Sequence, residues 1–229
     1  MPAVNGKIFF VISIVIITSI FVVVVFFLKS TNTVNRLQLD QTMLKRIEYK
    51  YGLEARQRVV DWQKLIDTGK TIHEFDKLQK VNDFFNHNIV FSDDLIVWKQ
   101  ADYWATPCEL LVKGAGDCED YSIAKYFTLL EMGVDQTKLR ITYVSMVGLN
   151  IRHMVLTYFE SPHAVPLVLD NINPIIMSSK DRSDLSPVYS FNGSDLWLAK
   201  IKSSGQLVGN ANQLNLWANL KQRMLEESI

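Results

Sequence analysis

The stretch from Gly114 to Phe127 constrains the fold most strongly, because it joins a glycine-closed loop to a helix through a cysteine. Apolar side chains recur at helical spacing after the loop: Ile123, Tyr126, Phe127 and Leu130. Cys118 is therefore predicted in the first helical turn, where backbone N–H groups lack partners and the macrodipole is positive. Such a position favours a thiolate and can stabilise an oxyanion on a carbonyl. The alternative is that Cys118 is a packing residue, as most isolated cysteines are.

Composition narrows the class of protein. The chain has 229 residues, 48% of them hydrophobic, and its 24 basic and 24 acidic residues give zero net charge. A nucleic-acid-binding domain would show a basic excess, so no nucleic-acid partner is predicted. Cys108 and Cys118 are too few for a disulfide scaffold. They could bridge each other in an oxidising compartment, which is a second alternative to a reactive Cys118.

An uninterrupted apolar run extends from Ile8 to Leu28. As a helix it would span about 31 Å, which matches the core of a bilayer. Lys7 and the free amino terminus precede the run, which favours a cytoplasmic amino end with the rest of the chain outside. A cleaved signal peptide usually has a shorter apolar region and a small-residue cleavage site, and no such site follows Leu28. Residues 1–29 are predicted to be a membrane anchor, with a cleaved signal sequence as the alternative.

The rest of the chain divides into a helical first half and a strand-rich second half. The polar residues 30–36 predict a linker, and the folded domain is assigned to residues 37–229. Periodicity and caps predict further helices over 37–51, over 55–69, from a capping box at 71–74, and from a cap at Asn212. Strands are predicted over 139–147, 153–159 and 166–170, then a hairpin turn at Asn192–Gly193 and a loop over 205–210. Helices followed by antiparallel strands indicate an α+β fold.

A cysteine nucleophile requires a base, and the base requires an orienting group. His153 opens one predicted strand and Asp170 ends the next, and adjacent antiparallel strands can place such side chains beside each other. The candidate catalytic residues are therefore Cys118, His153 and Asp170. His163 lies between these strands and is another candidate base, and a structural role is the alternative for His153.

Three acidic residues surround the cysteine: Asp117, Glu119 and Asp120. Their negative charge disfavours a thiolate. They suit the cap and first turn of a helix, where carboxylates are stabilising. Alternatively, they supply the hard oxygen ligands that calcium prefers, although no EF-hand spacing is present. The residues themselves leave both interpretations open.

Four segments together resemble the bacterial transglutaminase-like cysteine proteinases: 103–107, 114–121, 152–156 and 168–171. The resemblance extends over roughly 37–200 and implies a papain-like, transglutaminase-like core. It implies that Cys118 is the nucleophile, His153 the general base and then acid, and Asp170 the group that orients the imidazole. It also implies calcium dependence, with Asp117 and Glu119 at the acidic positions beside the cysteine and Asp120 within reach.

The resemblance further implies a substrate and a partner. The expected reaction is hydrolysis of a peptide bond near paired alanines in the amino-terminal region of a large surface adhesin, which controls attachment and biofilm release. The expected partner is a membrane receptor that senses cyclic di-GMP in the cytoplasm and sequesters the protease in the periplasm. The apolar run at 8–28 departs from the cleaved leader usual in this family, so a periplasmic enzyme tethered to the inner membrane is expected. The same fold also allows acyl transfer to an amine, cell-wall amide hydrolysis or a non-catalytic binding role.

Overall fold

The computed structural model of the protein describes residues 40–149, 151–200 and 203–227. The predicted anchor at 1–29, with its apolar run at 8–28, and the predicted linker at 30–36 lie outside the described residues. Among the helices that are described, none combines the length and the apolar character that a membrane span requires.

Helices form most of the first half of the described chain. They are α1 (Gln41–Tyr51), α2 (Leu53–Gly69), α3 (Glu74–Asn88), α4 (Asp94–Val97), α5 (Pro107–Lys113), α6 (Cys118–Glu131) and, after the strands, α7 (Asn215–Glu227). The buried side chains of α2 recur at helical spacing, as the sequence predicts: Ala55, Val59, Trp62 and Ile66. Burial of this apolar stripe is what stabilises the helix within the domain.

Helix α1 begins at Gln41, later than predicted, because Asp40 is its N-cap. Two further predicted helix starts are wrong. Helix α3 begins at Glu74, and His73 is its N-cap, because the His73 ring accepts a hydrogen bond from the Phe75 N–H at 3.4 Å. The final helix begins at Asn215, because residues 211–213 form a separate 3₁₀ turn that contains Asn212. In both places a local cap competes with the cap that the sequence pattern suggests.

Most strands lie in the second half of the described chain, where they join one antiparallel sheet. They are β1 (Val90–Phe91), β2 (Ala115–Gly116), β3 (Leu139–Met146), β4 (Ile151–Tyr158), β5 (Leu167–Leu169), β6 (Met177–Ser178), β7 (Leu185–Phe191), β8 (Asp195–Lys200) and β9 (Ser203–Asn210). The main sheet has the order β6-β5-β4-β3-β7-β8-β9, while β1 and β2 form a short parallel pair. The α+β prediction is confirmed, but the loop predicted over 205–210 is wrong, because β9 pairs with β8.

Helix α6 lies at the centre of the domain. It packs on β3 and β4 and also contacts α3 and α5. Its buried side chains Ile123, Tyr126 and Leu129 face a core that includes Ile141 and Leu156 of the sheet. Because α6 is held from several sides, the position of its first residue is fixed by the whole domain.

Candidate active site

The turn before α6 depends on two glycines. Gly114 adopts a left-handed conformation with φ of 69°, and a Cβ atom there would lie 2.7 Å from the guanidinium carbon of Arg58. Arg58 in turn donates a 2.7 Å hydrogen bond to the carbonyl of Leu111 at the end of α5. The Gly116 carbonyl accepts a 2.9 Å hydrogen bond from the Ser92 N–H. These contacts fix the path of the chain into the nucleophile helix.

Cys118 is the first residue of α6, as predicted, and Asp117 is its N-cap residue. The first turn of α6 docks on the edge of β4, where the Ser122 hydroxyl donates a 3.1 Å hydrogen bond to the Met154 carbonyl. Strand β5 pairs with β4 only along residues 156–158, so the earlier part of β4 is open to the helix. The cysteine therefore lies beside the strand that carries His153.

His153 and Asp170 are brought together, as predicted. His153 Nε2 lies 2.8 Å from Asp170 Oδ1, and both side chains are buried. Asp170 Oδ1 also accepts a 3.0 Å bond from the Ile172 N–H, and Oδ2 accepts a 2.7 Å bond from Arg182. Burial alone would raise the pKa of Asp170, but the bonds from His153, Ile172 and Arg182 outweigh it and hold that pKa below its usual range.

The state of Asp170 determines which nitrogen of His153 can act as a base. An ionised carboxylate is an acceptor only, so His153 Nε2 must carry the proton in the 2.8 Å hydrogen bond. In the neutral imidazole the lone pair then lies on Nδ1. The His153–Asp170 pair therefore presents Nδ1 as its basic nitrogen.

The backbone of Asp170 is held by a buried polar network that the sequence did not predict. The Lys125 ammonium of α6 donates to the Asp170 carbonyl at 3.1 Å and to Asn82 Oδ1 at 2.8 Å. Asn86 donates to the same carbonyl at 2.8 Å. Burial lowers the pKa of Lys125 to about 7. The network ties the segment after β5 to the helices beneath it.

An acidic cluster lies next to Cys118. Asp94, Asp117 and Glu119 each offer a carboxylate oxygen, and these oxygens lie within 4.8 Å of one another. Asp94 Oδ1 and Asp117 Oδ1 are buried without a hydrogen-bond partner among the described residues. Burial, followed by the charge of Glu119, raises the pKa of Asp117 to about 9. Orphaned hard oxygen donors that repel one another fit a divalent cation such as calcium.

The membership of this cluster differs from the predicted ligand set. Asp117 and Glu119 belong to it, as does Asp94, which the sequence analysis missed because it lies on a different element with no spacing motif. Asp120 lies outside the group of three, and its Oδ1 accepts a 2.7 Å hydrogen bond from the Ala105 N–H. Its role as a metal ligand stays a prediction.

The thiol of Cys118 faces the same carboxylates. It donates a 3.0 Å hydrogen bond to Glu119 Oε2. Burial, and then the charges of Glu119 and Asp117, raise the pKa of this thiol far above its usual range. A hydrogen bond from the Met154 backbone lowers the pKa but does not compensate. Burial and the acidic neighbours thus affect the thiol pKa more strongly than the positive end of the helix dipole does. This is the electrostatic conflict that the sequence predicts.

Two alternatives from the sequence are not supported. Cys108 and Cys118 are both free thiols, so the bridge between them is wrong. Burial raises the pKa of Cys108 to about 12, as expected for an inert packing cysteine. His163 lines a cavity of about 560 Å³ with Val155 and Val168, and the histidine that contacts Asp170 is His153.

The sequence and the fold of this chain both match those of known proteins. The sequence profile of the bacterial transglutaminase-like cysteine proteinases matches residues 50–186. A structure of EGTA-treated Legionella pneumophila LapG is 40% identical, covers 81% of this chain and 98% of its own, and superposes with a TM-score of 0.71. A calcium-bound structure of the same LapG is 39% identical, covers 81% and 99%, and has a TM-score of 0.69. No curated protein matches the chain significantly.

Proposed function

The chain belongs to the bacterial transglutaminase-like cysteine proteinases, and we propose that it is a calcium-dependent endopeptidase with Cys118, His153 and Asp170 as its triad. The observation that carries the proposal is the buried 2.8 Å contact between His153 Nε2 and Asp170 Oδ1, beside the helix that begins at Cys118. A base oriented by a carboxylate, next to a thiol at a helix start, is the arrangement that covalent acyl transfer requires.

In the proposed reaction, His153 Nδ1 accepts the thiol proton while Cys118 Sγ bonds to the carbonyl carbon of the scissile peptide. The carbonyl π electrons move to oxygen, and free N–H groups at the start of α6 are positioned to stabilise the oxyanion. When the C–N bond breaks, the imidazolium returns its proton to the leaving amine, and a thioester remains. His153 then deprotonates water, which attacks the thioester and releases the acid and the thiol.

Calcium dependence follows from the charges around the nucleophile. Asp94, Asp117 and Glu119 would hold the ion, which supplies positive charge beside a thiolate that these carboxylates otherwise disfavour. Asp94 comes from α4, whereas Asp117 and Glu119 flank the start of α6. Binding through all three would also fix the loop that presents Cys118.

The finer proposal concerns the substrate and the location. We infer that the enzyme cleaves the amino-terminal region of a large surface adhesin near paired alanines, and so controls attachment and biofilm release. It acts in the periplasm, tethered to the inner membrane through residues 8–28, where a cyclic-di-GMP receptor sequesters it. The family and the likeness to LapG support the protease activity and the adhesin substrate. The apolar run at 8–28 supports the tether.

The test is a cleavage assay with the full-length chain in mild detergent and an amino-terminal adhesin segment that contains paired alanines. Cleavage should require calcium, should stop with EGTA and should be abolished in Cys118→Ala. Cys108→Ala is the matched control, because it removes the other cysteine and should leave activity intact. Cleavage by Cys118→Ala would overturn the triad. Capture of the thioester by an added amine, without hydrolysis, would point to acyl transfer instead.

A further inference from the structure

Arg182 carries a guanidinium that is buried between two carboxylates. Its side chain is 3% exposed, and Nη2 lies 2.7 Å from Asp170 Oδ2, whose own side chain is 0% exposed. On its other side, Nε and Nη2 bond to Asp184 at 2.9 and 2.8 Å. The Asp184 side chain is 49% exposed, so only the Asp170 contact is fully removed from solvent. A charged pair in such an environment is directional and strong.

The contact with Arg182 completes the hydrogen bonding of Asp170. Oδ1 accepts from His153 and from the Ile172 N–H, and Oδ2 accepts from Arg182. Rotation of the carboxylate would break bonds on both of its oxygens at once. Arg182 is charged at any pH that a protein tolerates, so it favours the ionised form of Asp170 throughout the working range.

We propose that Arg182 is a positioning residue for the reaction: it fixes the Asp170 carboxylate so that Asp170 accepts a hydrogen bond from His153 Nε2–H and leaves Nδ1 free to act on the thiol. This inference rests on the proposed triad and extends it by one residue. The side chain of Arg182 bonds to Asp170 and Asp184, and it acts on the reaction through Asp170.

If Arg182 had only a structural role, the effects of losing its two carboxylate partners would be expected to differ from those proposed here. The segment around it is already tied by backbone bonds, since Arg182 N–H donates to the Ser179 carbonyl and Leu185 N–H donates to the Arg182 carbonyl. Leu185 packs on the buried cluster of Val144, Val155 and Val168. If the side chain served only to anchor this segment, loss of its bond to Asp184 would do as much harm as loss of its bond to Asp170.

The experiment compares Arg182→Met with Asp184→Asn in the full-length protein. In wild type, ¹⁵N NMR of the neutral imidazole should show His153 as a single Nε2–H tautomer, assigned by its loss in His153→Gln. Arg182→Met should give mixed tautomers and a kcat about 10²-fold lower, with little change in KM. Asp184→Asn should keep the single tautomer and most of the activity. Arg182→Lys, which keeps the cation, should recover most of the tautomer preference.

A single Nε2–H tautomer with unchanged kcat in Arg182→Met would overturn the proposal, as would equal losses in Asp184→Asn. Should Arg182→Met fail to fold, Arg182→Leu takes its place, because its side chain likewise has no N–H group to donate to Asp170, and the same two outcomes decide. The tautomer measurement needs no substrate. If wild type fails to cleave the adhesin segment, the proposed substrate falls, while the NMR comparison still decides the role of Arg182.

Discussion

Among individual residues, Asp94 makes the acidic cluster a three-carboxylate site rather than a pair beside the cysteine. Its Oδ2 accepts a 2.6 Å bond from the Tyr103 N–H, while Oδ1 is buried without a partner among the described residues. Burial, followed by the charge of Glu119, raises the pKa of Asp94 to about 6. A buried oxygen left without a partner is costly, and a cation would satisfy it.

Asp94→Asn should therefore weaken calcium binding by at least about tenfold, because it removes one of the anionic ligands. Asp93→Asn is the matched control: it makes the same change one residue earlier, outside the cluster. Isothermal titration with calcium measures both. Equal affinity in the two variants would contradict the assignment of Asp94.

A second prediction for a single residue concerns Lys125 and the way in which the free energy of unfolding depends on pH. Its pKa is lowered to about 7 from 10.5, so between these values the unfolded chain binds a proton that the folded chain lacks. The free energy of unfolding should therefore rise with pH across this window, by up to about 1.4 kcal/mol for each pH unit. Lys125→Met removes this contribution to the slope. Urea unfolding of both proteins from about pH 7 to about pH 9 measures the difference, and parallel slopes would refute it.

At the scale of elements, α7 completes the packing around α6. Trp217 is fully buried and its ring lies 5.4 Å from Phe127, 5.9 Å from Tyr126 and 5.2 Å from Phe191. The family profile ends at residue 186, before this helix, yet α7 contributes to the same core as α6. The carboxy-terminal helix is therefore part of the structure that supports Cys118.

Trp217→Ala should lower the free energy of unfolding by about 3–5 kcal/mol, because it leaves a large cavity among aromatic rings. Leu225→Ala changes a residue of the same helix that is 55% exposed, and should cost far less. Denaturant titration of the two variants tests the difference. Similar midpoints would mean that α7 contributes little to the core.

The elements that carry the proposed triad could be predicted because their signals are local. A glycine loop followed by helical periodicity predicted Cys118 at the start of α6, and strand alternation predicted the strands around His153 and Asp170. Antiparallel neighbours then made the contact between His153 and Asp170 a natural expectation.

The supporting residues could not be predicted in this way. Arg182, Asp94 and Lys125 act through contacts with residues distant in the sequence, and no periodic pattern or motif identifies them. Strand β9 was missed because glycine and polar residues over 205–210 are typical of a loop, and only pairing with β8 makes them a strand. These features depend on tertiary contacts that local propensity does not contain.

At the scale of the whole molecule, the acidic cluster links segments that meet only when the chain is folded. Asp94 belongs to α4, and Asp117 and Glu119 belong to the start of α6, which packs on the central sheet. The unfolded chain separates Asp94 from Asp117 and Glu119, so a cation that bridges all three binds the folded state preferentially. Such binding adds to stability according to the ratio of free ion to Kd, about 2.7 kcal/mol at a hundredfold excess.

Removal of calcium should therefore lower the melting temperature of the whole protein as well as its activity. The expected result is a lower Tm in EGTA than in calcium, restored by added calcium and only partly by magnesium, which demands stricter octahedral geometry. The variant Asp117→Asn with Glu119→Gln should melt at the same temperature under all these conditions, because its site has lost two of its three carboxylates. Differential scanning calorimetry measures each case. An identical Tm for wild type in calcium and in EGTA would show that the cluster does not couple a cation to folding.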